Sequence, residues 1–372
     1  MTPAAHPGPD ARPGPGSPPE AGSRPGKGSR PAEGSRPAEG RRPGAGLPLG
    51  PMARMAGRRL LAAVPVLLAV TLGIFAVAAA SPFDPAQAYA GTAGLSASQE
   101  TLDRLRANLG ADRPPLAQWW DWLTSALRGD LGHSATLRRP VAQVLAERLG
   151  WSVLLGGVAF AVTVLAGTAL GVAAARRRGG PLDRLVTGGS YVLQAAPPFW
   201  IGLLAIWFFA LHLGVLPAGG LTDTGSDTVT PGSVLRHLVL PALVLAASQL
   251  PWFVLYVRQS VGDALDEDPV RGARARGLRE RTVLLGHALR SGLLPVLTLV
   301  GSRVPELITG ALLVETVFSW PGIADATVRA ATAVDFPLLA ALTVLATAAV
   351  LLGNLAADLL HGIADPRVGF DG

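Results

Sequence analysis

Residues 268–278 carry the clearest local pattern for interaction chemistry in this chain. Asp268 is suited to accept hydrogen bonds from the first free N–H groups of a helix, and Pro269 suits the first helical position because its missing N–H would be unpaired there. Gly277 is able to take the left-handed conformation that ends a helix. The pattern predicts a short basic helix with small side chains that a partner can approach closely. The residues expected to contact that partner are Asp268, Arg271, Ala273, Arg274, Ala275, Gly277 and Leu278.

The residue patterns of ATP-binding and catalytic sites are absent from the sequence. A phosphate-binding loop needs Gly-x-x-x-x-Gly-Lys before Ser or Thr, but the only lysine is Lys27, which lies between Gly26 and Gly28. The chain has no cysteine, and its Ser and His residues do not show the spacing of a hydrolase or a metal site. We therefore predict that the protein is not an enzyme and has no cofactor of its own.

The composition is that of a membrane protein. Hydrophobic residues make up 49% of the 372 residues and charged residues only 16%, and the apolar residues come in long runs. The net charge of +6 lies in residues 1–59, which contain ten Lys and Arg against four Asp and Glu, while the other 22 residues of each sign cancel. The basic excess is therefore a property of the tail, and nucleic-acid binding is not expected.

The order of apolar and polar stretches predicts five parts. Residues 1–51 are rich in Pro, Gly, Ala and Ser and are expected to be disordered, because they cannot bury enough apolar surface to offset chain entropy. Next come a first membrane helix at 52–80, an extracytoplasmic segment at 81–147, and a membrane domain at 148–362 that contains a cytoplasmic loop at 258–291. A cytoplasmic tail follows at 363–372.

Six segments are apolar enough to cross about 30 Å of hydrocarbon, which takes roughly 20 residues. The sequence thus predicts an all-α membrane protein with a bundle of six transmembrane helices. Prolines inside the spans argue for kinks packed around a path, because neighbours or water must satisfy the freed carbonyls. The predicted spans are 60–80, 151–175, a third within 186–213 interrupted by Pro197 and Pro198, and then 234–257, 293–315 and 336–361.

Loop charge predicts the orientation of the bundle. Four arginines lie in 176–185 and seven in 258–291, whereas 214–233 contains no Lys or Arg and 316–335 contains only Arg329. The positive-inside rule then places both termini in the cytoplasm. In the large external segment, three clustered tryptophans (Trp119, Trp120 and Trp122) are expected to anchor at the membrane surface, with protein docking as the alternative.

Ionisable residues at membrane depth are costly and often functional, so they define a rival function. The candidates are Arg303, Glu306 and Asp358, with His212 and His237 near span ends. Arg303 and Glu306 are three residues apart and are expected to pair on one helix. The alternative is a proton-coupled carrier that uses Glu306 and Asp358. The expected lining of a translocation path is Pro197, Pro198, Arg303, Pro305 and Glu306.

Several motifs resemble the permease subunits of peptide-type ABC importers. Residues 268–278, with His-Ala-Leu-Arg at 287–290, are similar to that family's cytoplasmic coupling loop, although Pro269 stands where an aromatic residue is usual. Further motifs follow in the family's order at 128–134, 196–200, 315–322 and 365–367. The resemblance runs from about residue 55 to 368. A basic loop resting on anionic lipid is the alternative interpretation of 268–278.

The resemblance implies the ABC type I importer permease architecture in the plasma membrane. It implies a second permease subunit, separate ATP-binding subunits that dock on residues 268–278, and an extracytoplasmic solute-binding protein. ATP would be bound by those partner subunits. The implied cargo is a dipeptide or oligopeptide, with nickel or sugar as alternatives.

Overall fold

The fold is described from a computed structural model of the chain. The residues it describes are 49–82, 84–90, 98–110, 112–223, 225, 228–293, 295–296, 303–333 and 335–364. The predicted disordered tail therefore lies outside the described residues except for 49–51, which belong to the first helix. The predicted C-terminal tail lies outside them from residue 365.

Helices and one short β-hairpin make up the described chain. A first group precedes the long central helices: α1 (Leu49–Ala80), α2 (Pro85–Ala90), α3 (Gln99–Leu109), α4 (Pro115–Leu127), β1 (His133–Ser134) and β2 (Arg139–Pro140). The middle of the chain forms α5 (Val141–Arg176), α6 (Pro181–Ala195), α7 (Pro198–Ala205, continued by a π-helical segment Ile206–His212) and α8 (Pro231–Leu265). The remaining helices are α9 (Asp268–Ala275), α10 (Glu280–Val283, continued by a π-helical segment Leu284–Ala288), α11 (Leu289–Gly292), α12 (Val304–Val317), α13 (Ile323–Thr332) and α14 (Phe336–Ala364).

Four helices among the described residues are long and apolar enough to cross a membrane. They are Met52–Ala80, Val141–Arg176, Pro231–Leu265 and Phe336–Leu359. Helices α6 and α7 meet at an angle of 101°, and they supply a fifth span if the pair forms one broken span. The break falls at Pro197 and Pro198, where the sequence predicted an interruption. The predicted span at 293–315 is described only in part, as the 14 residues of α12 and short pieces before it.

The α5–α8 pair forms the centre of the bundle, and small residues on α5 make the close contact possible. Thr163, Gly167 and Gly171 are spaced by four residues, so they lie on one face of the helix. A Cβ on Gly167 would meet the ring of Phe253, and one on Gly171 would lie 2.9 Å from the carbonyl oxygen of Val254. Small residues at such spacing let two membrane helices approach closely.

The two helices run in the same direction, which defines two ends of the bundle. The C-terminal end of α5 and the C-terminal half of α8 share one apolar cluster that includes Ala175 and Val257. We call this the arginine-rich end, since Arg176 to Arg178 follow α5 directly. The N-terminal end of α5 packs with α13 and the start of α14, through Val141, beside the β-hairpin. We call this the hairpin end.

Helix α1 lies at the outside of the bundle against α14 and α4. Two of the three clustered tryptophans fix α4 to it: Trp119 donates a hydrogen bond from Nε1 to Thr71 Oγ1 at 3.0 Å, and the Trp122 ring lies 5.9 Å from the Phe75 ring. Trp120 is 58% exposed. Trp119 and Trp122 therefore pack on α1 and are half-buried, and Trp120 is the most exposed of the three for the predicted surface anchor.

Two helices extend beyond the predicted apolar spans. The predicted second span starts at Trp151, but α5 already begins at Val141, because Pro140 ends the hairpin and the apolar Val141 and Val144 are buried against α13 and α14. The fourth span likewise continues to Leu265, where Val261 and Leu265 are buried. In both cases tertiary packing extends a helix beyond its most hydrophobic stretch.

Candidate functional site

The predicted contact residues lie in sequence along α9 and the turn that follows it. The helix has Glu267 at its N-cap and Asp268 as its first residue, so the prediction that Asp268 caps the helix is wrong by one position. Asp268 instead forms an ion pair with Arg271 one turn later. A carboxylate in the first turn is favourable there without capping, because it lies near the positive end of the helix dipole.

The end of α9 confirms the predicted conformation of Gly277. Gly277 has φ of 78°, in the left-handed region. Its N–H donates to the carbonyl of Arg274 at 2.9 Å, and the N–H of Leu278 donates to the carbonyl of Ala273 at 3.3 Å. These two bonds are the Schellman pattern, in which a left-handed residue satisfies the last helical carbonyls. The turn is therefore defined by backbone hydrogen bonds and by glycine at this position.

One face of α9 is buried inside the chain and the opposite face is exposed. Val270 and Ala273, three residues apart, are 1% and 0% exposed and belong to the apolar cluster of the arginine-rich end. The prediction that the small Ala273 side chain lies on an open surface is therefore wrong, because that side chain packs against the chain's own core. Ala275, Gly277 and Leu278 are exposed.

Arg274 connects α9 to both of its neighbours. Its guanidinium donates to the carbonyl of Leu265, the last residue of α8, at 3.3 Å, and to Glu280 Oε1, the first residue of α10, at 2.8 Å. The hydrogen bond from Arg274 holds the pKa of Glu280 below its usual range. Arg274 therefore donates hydrogen bonds to neighbouring parts of this chain. The Arg271 side chain is 68% exposed.

The chain that returns from α9 is also fixed to α8. Ser260 Oγ donates to the carbonyl of Gly292 at 2.6 Å. A Cβ on Gly292 would lie 3.0 Å from the Cα of Val261, so the two backbones are in close approach. Val283, Leu284 and Ala288 are buried in the same apolar cluster as Val270. Helix α9 and the chain that follows it are therefore fixed to the long helix α8, while the other face of α9 stays exposed.

The predicted path residues lie at different levels of the bundle. Pro197 and Pro198 form the break between α6 and α7, and α7 meets α12 where a Cβ on Gly202 would lie 3.2 Å from Val317. Arg303, the N-cap of α12, is 14 residues before Val317, or about 20 Å along a helix. Pro305 and Glu306 follow in the first turn of α12, and their side chains lie outside what the structure describes.

The other ionisable candidates have partners that the sequence did not predict. The Arg303 guanidinium lies 4.5 Å from the centre of the Trp252 ring. His237 Nδ1 donates to the carbonyl of Ser233 at 2.8 Å, and His212 stacks on Trp207. Arg59 Nη1 lies 2.5 Å from Asp358 Oδ2, and the Asp358 side chain is 32% exposed.

A buried carboxylate at the hairpin end was missed by the sequence reasoning. Glu315, at the end of α12, is 1% exposed. It accepts hydrogen bonds from Ser152 Oγ at 2.6 Å and from the N–H of Ala324 at 2.8 Å. Ser152 Oγ accepts in turn from the N–H of Ile323 at 2.8 Å. One carboxylate therefore joins α5, α12 and the start of α13.

The turn between α12 and α13 is built closely around this carboxylate. A Cβ on Gly322 would overlap the Glu315 carboxylate. The buried Trp320 ring packs edge-on against Trp151, and its Nε1 donates to the Trp151 carbonyl at 3.0 Å. Only glycine fits at position 322 while Glu315 is in place.

Arg148 adds a second connection between α5 and α13. It donates to Asp325 Oδ2 at 2.6 Å and to the carbonyl of Gly322 at 3.2 Å. Burial alone would raise the pKa of Asp325, but hydrogen bonds from Arg148 and Arg329 outweigh it and hold that pKa below its usual range. We call Glu315, Ser152, Gly322, Arg148 and Asp325 together the Glu315 network.

A signal for this network was present in the sequence. Glu315 is the last residue of the predicted fifth span, although the ionisable candidates at membrane depth do not include it. It begins the motif Glu-Thr-Val-Phe-Ser-Trp-Pro-Gly. A charged residue followed by Trp-Pro-Gly indicates a helix end with a tight turn. The partners on α5, about 160 residues earlier in the chain, are given only by the fold.

Comparison with known proteins places the chain in a family. Residues 167–370, more than half of the chain, match the model of the binding-protein-dependent transport system inner membrane component, and residues 52–153 match the model of its N-terminal part. The chain is 36% identical to a putative peptide permease protein of Brucella suis, over 85% of this chain and 99% of that protein.

Two further relatives match over almost their whole length. The oligopeptide transport system permease protein AppB of Bacillus subtilis is 34% identical over 86% of this chain and 100% of its own. The dipeptide transport system permease protein DppB of Escherichia coli is 33% identical over 84% of this chain and 97% of its own. The chain therefore belongs to the family of inner membrane components of binding-protein-dependent transport systems.

Proposed function

We propose that this chain is one of two permease subunits of an ATP-driven importer for dipeptides or oligopeptides. The family assignment supports import that depends on a binding protein, and the names of the relatives in Brucella suis, Bacillus subtilis and Escherichia coli support a peptide cargo. The family assignment disfavours the proton-coupled carrier that uses Glu306 and Asp358. Nickel and sugar have no support from these relatives.

The proposed partners follow from what this chain lacks and what its family requires. The sequence has no phosphate-binding loop, since Lys27 is the only lysine. ATP would therefore be bound by separate subunits, and the peptide would be delivered by an extracytoplasmic solute-binding protein. The chain would need no cofactor and would catalyse no reaction of its own.

We propose six spans of type I permease architecture with both termini in the cytoplasm. The four long apolar helices and the broken α6–α7 pair support five of these spans, and the apolar stretch that includes α12 would supply the other. The arginines of 176–185 and 258–291 support the orientation. The hairpin end would then face outward, with 81–147 as the extracytoplasmic segment and 148–362 as the membrane domain.

The observation that carries the coupling proposal is the two-sided character of α9. Val270 and Ala273 attach it to the core, while Asp268, Arg271, Ala275, Gly277 and Leu278 present an exposed face. A docking partner on that face would push on an element fixed to α8. Movement of the ATP-binding subunits would then reach α8 and α5 as a rigid-body displacement.

Arg274 would transmit this movement through its own hydrogen bonds, with a side chain that is 42% exposed. Its bonds to Leu265 and Glu280 hold α9 in one position relative to α8 and α10. The exposed Arg271 is the better candidate for charged contact with the ATP-binding subunit. This division differs from the expectation that both arginines face the partner.

The experiment is ATP-driven peptide uptake by the reconstituted complex, with bulky residues placed on the exposed face. We expect Gly277→Trp and Ala275→Trp to reduce uptake to background while the membrane level of the protein is unchanged, because both would block close docking. Gly286→Trp is the matched control: Gly286 is exposed in the same loop, and a Cβ there meets nothing within 4 Å. This control should retain most of the uptake.

Ala275→Trp separates docking from backbone strain, because position 275 has a helical conformation and needs no glycine. Normal uptake by both Trp variants would refute the coupling assignment. Uptake should also persist after collapse of the proton gradient and stop without ATP, and the reverse result would favour the carrier.

A further inference from the structure

A half-open groove of about 530 Å³ lies between α1 and α14. Its volume is within the range of ligand pockets, roughly 300–1,000 Å³. The walls are mostly apolar and include Ala62, Ala63 and Leu67 of α1, and Ala348, Leu351 and Leu355 of α14. Three of these residues are alanines, so the two helices leave space between them that larger side chains would fill.

Positive charge is concentrated at one end of the groove. Arg58 and Arg59 line this end, and Arg54 precedes Arg58 by one helical turn. Arg59 forms the ion pair with Asp358 of α14, which offsets one of these charges. Among the described residues of α1 and α14 at this end, Arg54, Arg58 and Arg59 outnumber Asp358, and Arg58 is exposed.

The length of the groove corresponds to one leaflet of a bilayer. From Arg58 to Leu67 the lining covers nine helical steps, or about 14 Å along α1. Half of a 30 Å hydrocarbon core is about 15 Å. Arginines at the end of a membrane span lie at the level of the lipid headgroups. The apolar part of the groove then lies at the depth of the acyl chains of the same leaflet.

One polar side chain lines the wall of the apolar part. Asn354 lies on α14 one helical turn before Asp358 and is half-buried. An amide in this position can donate to an ester carbonyl, and the ester groups of a phospholipid lie just below its phosphate. The groove thus offers, from its end inward, cationic groups, an amide and an apolar wall.

We infer that the α1–α14 groove binds an anionic phospholipid, with its phosphate at Arg58 and Arg59 and an acyl chain along Ala62, Ala63 and Leu67. Basic pockets between membrane helices bind the headgroups of such lipids. The inference requires only that α1 and α14 cross the membrane. It does not depend on the coupling role of α9 or on the cargo.

The test is native mass spectrometry of the purified full-length protein after exchange into nanodiscs of phosphatidylglycerol and phosphatidylcholine in equal amounts. We expect the wild-type protein to retain phosphatidylglycerol selectively. Arg58→Gln should lower that retention about fivefold, the effect of roughly one basic residue near a membrane surface. Ala62→Trp should abolish it, because the indole fills the groove.

Two matched controls make the test specific. Arg184→Gln removes an equal charge from the arginine-rich end outside the groove, and Ala69→Trp places the same indole on α1 outside the groove lining. Both should retain lipid as the wild type does. Equal retention of the two lipids, loss of retention in either control, or unchanged retention in Ala62→Trp would each overturn the inference.

Thermal unfolding in detergent will identify any variant that fails to fold. If Ala62→Trp unfolds, Ala63→Leu provides a smaller obstruction and should lower retention in proportion to the volume it fills. Retention by that folded variant equal to the wild type would overturn the inference. Peptide uptake is measured separately, so failure of the transport proposal would not affect this result.

Discussion

The α9 loop and the Glu315 network hold their helices in opposite ways. The α9 loop buries apolar side chains, such as Val270, and leaves its charged groups exposed, as in the pair of Asp268 and Arg271. The Glu315 network buries the charge itself, with Glu315 only 1% exposed and bonded to Ser152 and Ala324. One region presents a surface, and the other closes a joint between helices.

This difference shows how each region can act. Exposed ion pairs contribute little free energy, typically 0–1 kcal/mol, so they can be exchanged for contacts with a partner at low cost. Removing a partner from a buried carboxylate costs much more free energy, because the unpaired charge stays out of contact with water. The arginine-rich end is therefore suited to changing contacts, and the hairpin end to keeping its helices in one arrangement.

The largest effect is expected for Glu315→Ala, which tests whether the buried network stabilises the fold more than an exposed ion pair does. The substitution would leave the Ala324 N–H and the Ser152 hydroxyl without their acceptor, at roughly 1–3 kcal/mol each. We expect the free energy of unfolding to fall by about 3 kcal/mol and the Tm of the purified protein to fall accordingly. The control is Glu147→Ala, since Glu147 forms only an exposed pair with Arg139 and should change stability little. Equal stability of the two variants would show that the network is not a structural joint.

Replacement of glycine by alanine at two positions tests whether the turn after α9 requires the left-handed backbone conformation of Gly277. Gly277→Ala should destabilise the turn by about 1–2 kcal/mol, because φ of 78° is unfavourable for alanine. Gly272→Ala should stabilise α9 by about 0.5–1 kcal/mol, because Gly272 is inside the helix and a Cβ there meets nothing within 4 Å. Hydrogen exchange of the α9 amides measures both effects. Exchange changes of the same sign would contradict the Schellman assignment.

The smallest expected effect is the pH dependence of the Arg274–Glu280 pair. Arg274 lowers the pKa of folded Glu280, so the pair stabilises the loop above the unfolded pKa of about 4.3. That stabilisation is lost as the pH falls through the lowered folded pKa. A spin label on Ala275→Cys, in a chain without native cysteine, should become more mobile over that range. Glu280→Gln should show no such transition, and high salt should weaken the effect in the parent.

The α9 segment shows what local sequence predicts well. Pro269 in the first turn and Gly277 at the end were identified from residue type alone, because each has few allowed backbone conformations. The exact cap at Glu267 and the burial of Ala273 were not predicted. Both depend on how α9 packs against α8 and α10, which residue types within the loop do not determine.

The partners of charged residues were the least predictable feature. The Arg303 guanidinium lies over Trp252 of α8, a contact that the sequence did not predict. Its expected pairing with Glu306 stays a prediction, because the Glu306 side chain lies outside what the structure describes. Asp358 pairs with Arg59, about 300 residues earlier in the chain. Contacts between residues so far apart in sequence arise only when the helices have assembled.

The amino-acid sequence by itself determined the membrane class, the long apolar spans, the break at Pro197 and Pro198, and the basic helix closed by Gly277. These depend on hydrophobicity and backbone restriction, which are properties of short stretches. Only the tertiary structure decided which face of α9 is buried, that Glu315 joins three helices, and that α1 and α14 leave a groove ending in arginines. Those features need side chains from distant parts of the chain within a few ångströms of each other, and only packing brings them there.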